Sequence, residues 1–353
     1  MIRSALVVLI AASWAMAQEA ERGLDLSVSI GATALASPTL PDGGGLATGG
    51  FRALLSPTWK LSSHWTIAGV VQIRSRPYFF EDLEEPGYGL KSDVLQLSIG
   101  YSRFWTNGSI LVRAGELPSS FGSFLVRYSE MDNPVIDAPL AYGYYYRPVT
   151  SLGLTGAQVD VTSGRVDFRA QLASSSPANR RSLWAHDQYA NWTAGAGYTI
   201  IQGFRVGVSA FRGPYLDRDS PFFFRGESKP KQLPATAYGT DVSGAHGHTT
   251  VNGEWQRFIF TYHAIPTFIE HTGYGEIKQT IHPRWFVAGR AGYMRTNFSA
   301  TQAYEGAVGF RPGAHQLFKA GYQLQRNGRS GQLDHILALQ FVSTIHPLVW
   351  SGR

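Results

Sequence analysis

The stretch FRALLSPTWKLSSHWTIAGVVQIR, residues 51–74, decides the fold. Its first half places Phe51, Ala53, Leu55 and Trp59 at one parity and Arg52, Ser56, Thr58 and Lys60 at the other. Its second half repeats the pattern, with Trp65, Ile67, Val71 and Ile73 against Thr66, Gln72 and Arg74. Period-two alternation puts apolar and polar side chains on opposite faces of a β-strand. Ser62-Ser63 lies between the two runs as a tight turn. The stretch therefore predicts a hairpin of strands 49–61 and 64–76 with one greasy face and one wet face.

The same alternation extends in both directions. Leu24-Asp25-Leu26-Ser27-Val28-Ser29-Ile30 opens a strand over 24–36. Further strands are predicted over 90–104, 109–117, 149–162, 165–174, 190–201, 204–212, 235–245, 248–262, 267–280, 284–296, 302–311, 315–325 and 333–345. In the 90–104 strand, Leu95, Leu97, Ile99 and Tyr101 are expected to share the apolar face. Thr106-Asn107-Gly108, Ser163-Gly164 and Gln202-Gly203 supply turn chemistry. Short turns alternate with mostly longer connections: 37–48, 77–89, 118–148, 175–189 and 213–234, then the shorter 263–266, 297–301 and 326–332. An even strand count with short turns at one rim and long loops at the other is the pattern of a membrane β-barrel. About sixteen strands enclose a water-filled lumen, whereas eight would be filled by side chains. The fold class expected is all-β, a closed antiparallel transmembrane barrel.

Composition agrees. Charged residues make up only 16%, against the globular average of roughly a quarter, while aromatics reach 13% and glycine numbers 39. There is no cysteine, so no disulfide can brace the chain. Arg3, the apolar run Leu6–Ala12 and Ala15-Met16-Ala17 have the form of a secretory signal peptide over 1–17. The mature chain, 18–353, then carries 30 Lys and Arg against 25 acids, since Arg3 alone is lost from the 31. That mild excess, with no basic run, gives no footprint for nucleic acid. No later apolar run approaches the roughly 18 residues of a transmembrane helix. Export through a cleaved signal peptide to an outer membrane follows. A secreted all-β sandwich or propeller is the competing architecture. Trp59, Trp65, Trp105 and Trp285 all fall near short turns, where an aromatic girdle at the membrane interface would lie.

One long segment does not alternate: RAGELPSSFGSFLVRYSEMDNPVIDAPLAYGYYYRP, residues 113–148. A loop of this length in a compact fold is usually functional. Its aromatics, Phe121, Phe124, Tyr128, Tyr142 and Tyr144–Tyr146, need a surface to pack on. The loop is expected to fold into the lumen and narrow it, with Arg113, Arg127, Glu130, Asp132 and Asp137 at the constriction, the three acids facing basic wall residues such as Arg52 and Arg74. The alternative is an outer lid or an intersubunit contact.

The strands, the turns and this third loop together resemble bacterial general porins and phosphate-selective porins. The local likeness is Ala114-Gly115-Glu116-Leu117-Pro118-Ser119-Ser120-Phe121-Gly122, which is similar to the strand-then-Pro-Phe-Gly start of the third loop in those proteins. The resemblance implies a homotrimer, an inward-folded third loop and passive diffusion of small hydrophilic solutes. It also implies insertion by the barrel-assembly machinery. Porins usually end on an aromatic residue, whereas this sequence ends Leu348-Val349-Trp350-Ser351-Gly352-Arg353.

Parity assigns Arg52, Lys60, Arg74, Arg165, Arg169, Arg205, Arg290, Arg311 and Lys319 to the lumen, with Asp25, Asp160, Asp167, Glu254, Glu276 and Glu305. The basic set is larger, so a weak anion preference is expected. Cross-strand pairing, above all among Arg165, Asp167 and Arg169, would cancel part of it. The ten histidines show no metal-ligand spacing, and neither a phosphate-binding glycine loop nor a G-x-S-x-G elbow occurs. No cofactor, metal or catalytic residue is expected. The function expected is a porin and not an enzyme; a substrate-specific anion channel, or a non-channel barrel acting as enzyme or adhesin, are the other readings.

Overall fold

A computed structural model describes residues 22–38, 47–76, 78, 89–142, 153–174, 190–214, 233–262, 266–326, 328 and 331–352. The expected signal peptide, residues 143–148 of the long loop and most of loops 37–48, 77–89, 175–189 and 213–234 lie outside these residues.

Sixteen antiparallel strands close into a barrel. They are β1 (Arg22–Ala36), β2 (Ala47–Lys60), β3 (Trp65–Arg76), β4 (Gly89–Trp105), β5 (Gly108–Leu117), β6 (Leu154–Ser163), β7 (Val166–Ala173) and β8 (Asn191–Ile201). The second half comprises β9 (Phe204–Pro214), β10 (Pro234–His246), β11 (Thr249–Phe260), β12 (Phe268–His282), β13 (Trp285–Thr296), β14 (Ala300–Phe310), β15 (Gln316–Arg326) and β16 (Leu333–Gly352). Each strand pairs with its sequence neighbours, and β1 closes the ring on β16 from Arg22↔Gly352 to Ala36↔Leu337. Closure leaves no open edge, which matters in lipid because an unpaired backbone group there has no water to turn to.

Alternation sorts the two faces as expected on most strands. Phe51, Trp65, Leu97, Phe168, Tyr198 and Val287 are exposed on the outer wall. The inner wall carries buried Arg52, Gln72, Arg74, Gln171, Gln256, Glu276 and Arg290. An apolar exterior of this extent is the pattern of a barrel whose outer wall faces an apolar surrounding. Among the described residues no helix is long and apolar enough to cross a membrane. Trp59, Trp65, Trp105 and Trp285 are exposed beside short turns. Trp65 packs edge-on to Tyr101 at 5.4 Å and Trp285 lies 4.5 Å from Phe310.

Two departures from the sequence reading have local causes. Leu95, expected on the lipid face with Leu97, is 6% exposed, while its neighbour Val94 is 48% exposed. The pairing register slips between Val70↔Gln96 and Val71↔Val94, so Leu95 is the extra residue of a β-bulge. One inserted residue reverses the parity of everything before it. The last strand also runs past the expected 345 to Gly352, because β1 offers backbone partners down to Arg22.

Candidate functional site

The chain leaves β5 at Leu117 and crosses the barrel interior instead of turning straight back to β6. Residues 118–142 carry a single helical turn, α1 (Phe124–Arg127), and a 3-10 turn at Leu140–Tyr142. Three apolar contacts seat the segment on the wall. Phe121 is fully buried among Phe211, Leu233, Ala235, Ala237, Phe258 and Phe260. Ile136 packs with Leu35, Ile336 and Ala338 on the opposite side of the ring. Phe124 packs against both Tyr142, at 5.1 Å, and Tyr274, at 6.1 Å between ring centroids.

Polar anchors complete the seating. Gln171 receives the Ser120 N–H at 3.1 Å and returns a bond to the Pro118 carbonyl at 2.9 Å. The Glu254 carboxylate accepts the Ser123 N–H at 2.6 Å together with the hydroxyls of Ser123 and Tyr142. Gln256 donates to the Tyr142 oxygen at 2.8 Å. Arg127 reaches Asn252 at 2.6 Å. Gly122, at φ 75°, adopts a conformation that favours glycine, and a Cβ there would collide with the Tyr142 hydroxyl.

Farther along, Arg52 binds Glu130 at 2.5 Å, and the Tyr78 hydroxyl donates to the other carboxylate oxygen at 3.2 Å. Lys319 directs its ammonium at the carbonyls of Glu130, Asn133 and Val135, at 3.2, 3.1 and 2.9 Å. Arg290 donates to the Asp137 carbonyl and to Asn133 Oδ1, each at 2.7 Å, while holding Glu276 at 2.5 Å. Arg311 donates to the Met131 carbonyl. Burial, then the Glu130 carboxylate, pushes the Tyr128 and Tyr78 phenols above their usual range. Burial, then Glu254, does the same to Tyr142. All three therefore act as neutral donors or packing surfaces.

A second polar arrangement lies on the wall of β5–β10. Asp160 bridges Arg113 at 3.2 Å and Arg169 at 2.6 Å. Arg205 bridges Asp167 and Asp241, both at 2.6 Å. Three arginines and three aspartates thus line up with the signs mixed. Five of these six side chains are 22–32% exposed, Asp241 being the exception at 8%. The paired side chains under the loop, Arg52, Glu130, Arg290, Glu276 and Glu305, are only 0–5% exposed. Among the described residues, the ion pairs under the loop are dry and those of the ladder are partly exposed.

The structure thus divides the residues singled out from sequence into groups. Arg52 and Glu130 meet, and Arg74 is buried across from Arg52 in the β2–β3 register. Arg127, Arg290, Arg311 and Lys319 hold the loop, and Asp137 offers its carbonyl to Arg290. Asp132 is exposed. Arg113, Arg169 and Arg205 belong to the ladder on the other wall. Lys60 ends β2 at the short-turn rim. Arg165 sits in the β6–β7 turn and donates to the Ile200 carbonyl at 3.3 Å, apart from Asp167 and Arg169. Sequence reading missed Tyr78, Ser123, Asn133, Asn252, Gln256 and Asp241. Inward parity on β10 and β11 points to Asp241, Asn252 and Gln256; the others follow only from the path of the loop.

No family model and no curated protein matches the sequence. Solved structures do. The in-vitro folded OmpT of Vibrio cholerae, in its trimer form, aligns with TM-score 0.62 at 9% identity over 92% of this chain and 99% of its own. OprB of Pseudomonas putida aligns with TM-score 0.59 at 10% identity, covering 92% and 94%. The anion-selective porin of Comamonas acidovorans gives 0.55 at 10% identity, covering 92% and 98%. At this identity the likeness is one of architecture: the chain is a porin-like, sixteen-stranded β-barrel.

Proposed function

We propose that this barrel is an outer-membrane channel through which small hydrophilic solutes diffuse passively, with no catalytic step and a weak preference for anions. The supporting observation is the unequal wetting of the lumen. Residues 118–142 cross the lumen, with dehydrated pairs toward β2 and β12–β14, and the β5–β10 wall carries a ladder of partly exposed charges. A passage bounded by a fixed loop and a polar wall admits water and small polar molecules and sets a size limit.

The ladder of Arg113, Asp160, Arg169, Asp167, Arg205 and Asp241 contains as many acids as bases, so it contributes little preference for either sign. The remaining anion preference is assigned to Lys60, Lys278 and Arg311, basic groups of the short-turn half. The barrel works as a homotrimer, an assembly named for one protein of similar fold.

Planar-bilayer recording tests this reading. Refolded protein is expected to give stepwise conductance and, in a KCl gradient, a small reversal potential of the anion-selective sign. Folded, inserted protein that passes no current would overturn it.

A further inference from the structure

We propose that the inner wall of β5–β10 holds a site for zwitterionic solutes whose carboxylate and ammonium stand well apart, with free dipeptides as the fitting class. The inference names a solute for the passage and so rests on the channel reading above. It starts from how the ladder charges are grouped, not from their total. Asp160 lies between Arg113 and Arg169, two bases on one acid, which leaves a net positive group. Arg205 lies between Asp167 and Asp241, two acids on one base, which leaves a net negative group. A wall that is neutral as a whole is a fixed dipole locally.

Strand β7 sets the spacing of the two poles. Arg169 and Asp167 stand two positions apart on its inner face, about 7 Å along the strand. The positive group is the nearer to the long-loop rim. An extended dipeptide spans about 7 Å, since a chain rises by roughly 3.3–3.6 Å per residue. A single α-amino acid is too short to reach both poles.

The negative group is built with care. Arg205 reaches from β9 across β8 to Asp167, through paired bonds of 2.7 and 2.6 Å, and to Asp241 on β10 at 2.6 Å. Its guanidinium lies over Gly197 and Gly207. A Cβ at the first would collide with Arg205 and Asp167, and at the second with Asp241 and Arg205. The two glycines therefore clear a floor that keeps the arginine flat on the wall. Glu254, opposite Asp241 on β11, is engaged by Ser123 and Tyr142 under the loop.

Bonding capacity is left over at both poles. Arg169 gives Asp160 its Nε alone, at 2.6 Å, and its terminal nitrogens have no acceptor among the described residues. The Arg113 Nε also lacks one. Asp241 gives Arg205 its Oδ1, and its Oδ2 has no donor among the described residues. A guanidinium fork suits a carboxylate, and a carboxylate oxygen suits an ammonium. Unlike the dry pairs beneath the loop, most of these side chains are partly exposed and can be reached by a solute.

Saturation-transfer NMR on the detergent-folded protein, with empty micelles as the blank, tests the site without requiring conduction. The probes are glycylglycine, the anion N-acetylglycine and the cation glycylglycinamide. Wild type is expected to bind glycylglycine about tenfold more tightly than either singly charged probe. Arg169→Gln and Asp241→Asn should each erase most of that preference, and Arg169→Lys should keep most of it. Gel heat-modifiability confirms folding; if one of the two neutralised variants does not fold, the other decides. Equal binding of the three probes by wild type would overturn the proposal. So would N-acetylglycine binding as tightly as glycylglycine, which would mark a plain carboxylate site. Preference retained in the folded neutralised variants would overturn it as well. Conductance of the same preparation in KCl separates the two readings. Current without dipeptide preference sinks this inference alone, and dipeptide preference without current sinks the channel.

Discussion

Arg52 and Glu130 meet at 2.5 Å with side chains only 5% and 3% exposed, so a wall strand and the inner loop share an ion pair sealed from water. The carboxylate is also tied to Tyr78, and the guanidinium to Gln72 at 2.6 Å. Buried pairs of this kind add little over a well-packed apolar pair, but removing one partner strands the other. Glu130→Ala should cost about 3–5 kcal/mol of barrel stability, read as a lowered urea midpoint in micelles. Replacing both residues by methionine should recover much of the loss. A full-size loss in the double variant would show that the pair is not the main term.

Deleting residues 122–140 removes Phe124, Glu130, Ile136 and the carbonyls held by Lys319. If this segment limits the passage, single-channel conductance rises, because the space it occupies becomes water. Unchanged conductance with weakened oligomers would assign the segment to a lid or an intersubunit contact.

Arg205 holds two aspartates on the wetted wall. Arg205→Ala leaves Asp167 and Asp241 unbalanced, so the reversal potential in a KCl gradient should move toward cation selectivity. Conductance should change little. Arg290→Ala, beneath the loop, should instead lower stability, since Glu276 and Glu305 lose their counter-charge.

The seated phenols predict a response to alkali. Burial, then Glu130, holds Tyr128 above its ordinary 10.0. A released loop would ionise near the ordinary value, while the seated one stays neutral. The seating energy is therefore intact below pH 10 and declines as pH rises from there toward the higher value of the seated phenol. Conductance should climb above about pH 10 in the wild type and less in Tyr128→Phe.

Leu97 is exposed near the middle of β4. Leu97→Arg should cost about 2–4 kcal/mol of folding free energy in lipid, as a charge on the hydrocarbon face does. Urea titration in vesicles measures it, and an unchanged midpoint would contradict the assigned facing.

Most of the barrel is legible in the residues because two faces with opposite solvents impose a strict two-residue rhythm. Arg52 and Phe51 cannot exchange sides without putting a charge in lipid. The rhythm fails where the backbone adds a residue: nothing in Val94-Leu95-Gln96 distinguishes a bulge from an apolar pair. The inner loop was legible as a break in pattern, and Glu130 as a partner for the basic wall residue Arg52. Its anchors were not. The Glu254 contacts with Ser123 and Tyr142 join residues more than a hundred positions apart, and only the loop's path brings them together. The division of the lumenal charges into a dry set and a wetted ladder depends on that same path.

Lys319, Arg290 and Arg311 grip the loop by main-chain oxygens, those of Glu130, Asn133, Val135, Asp137 and Met131. A carbonyl is present whatever side chain follows it. Frame and side chains are thereby uncoupled: an exposed position such as Asp132 can be rewritten, in the laboratory or by descent, while the loop's scaffold stays put.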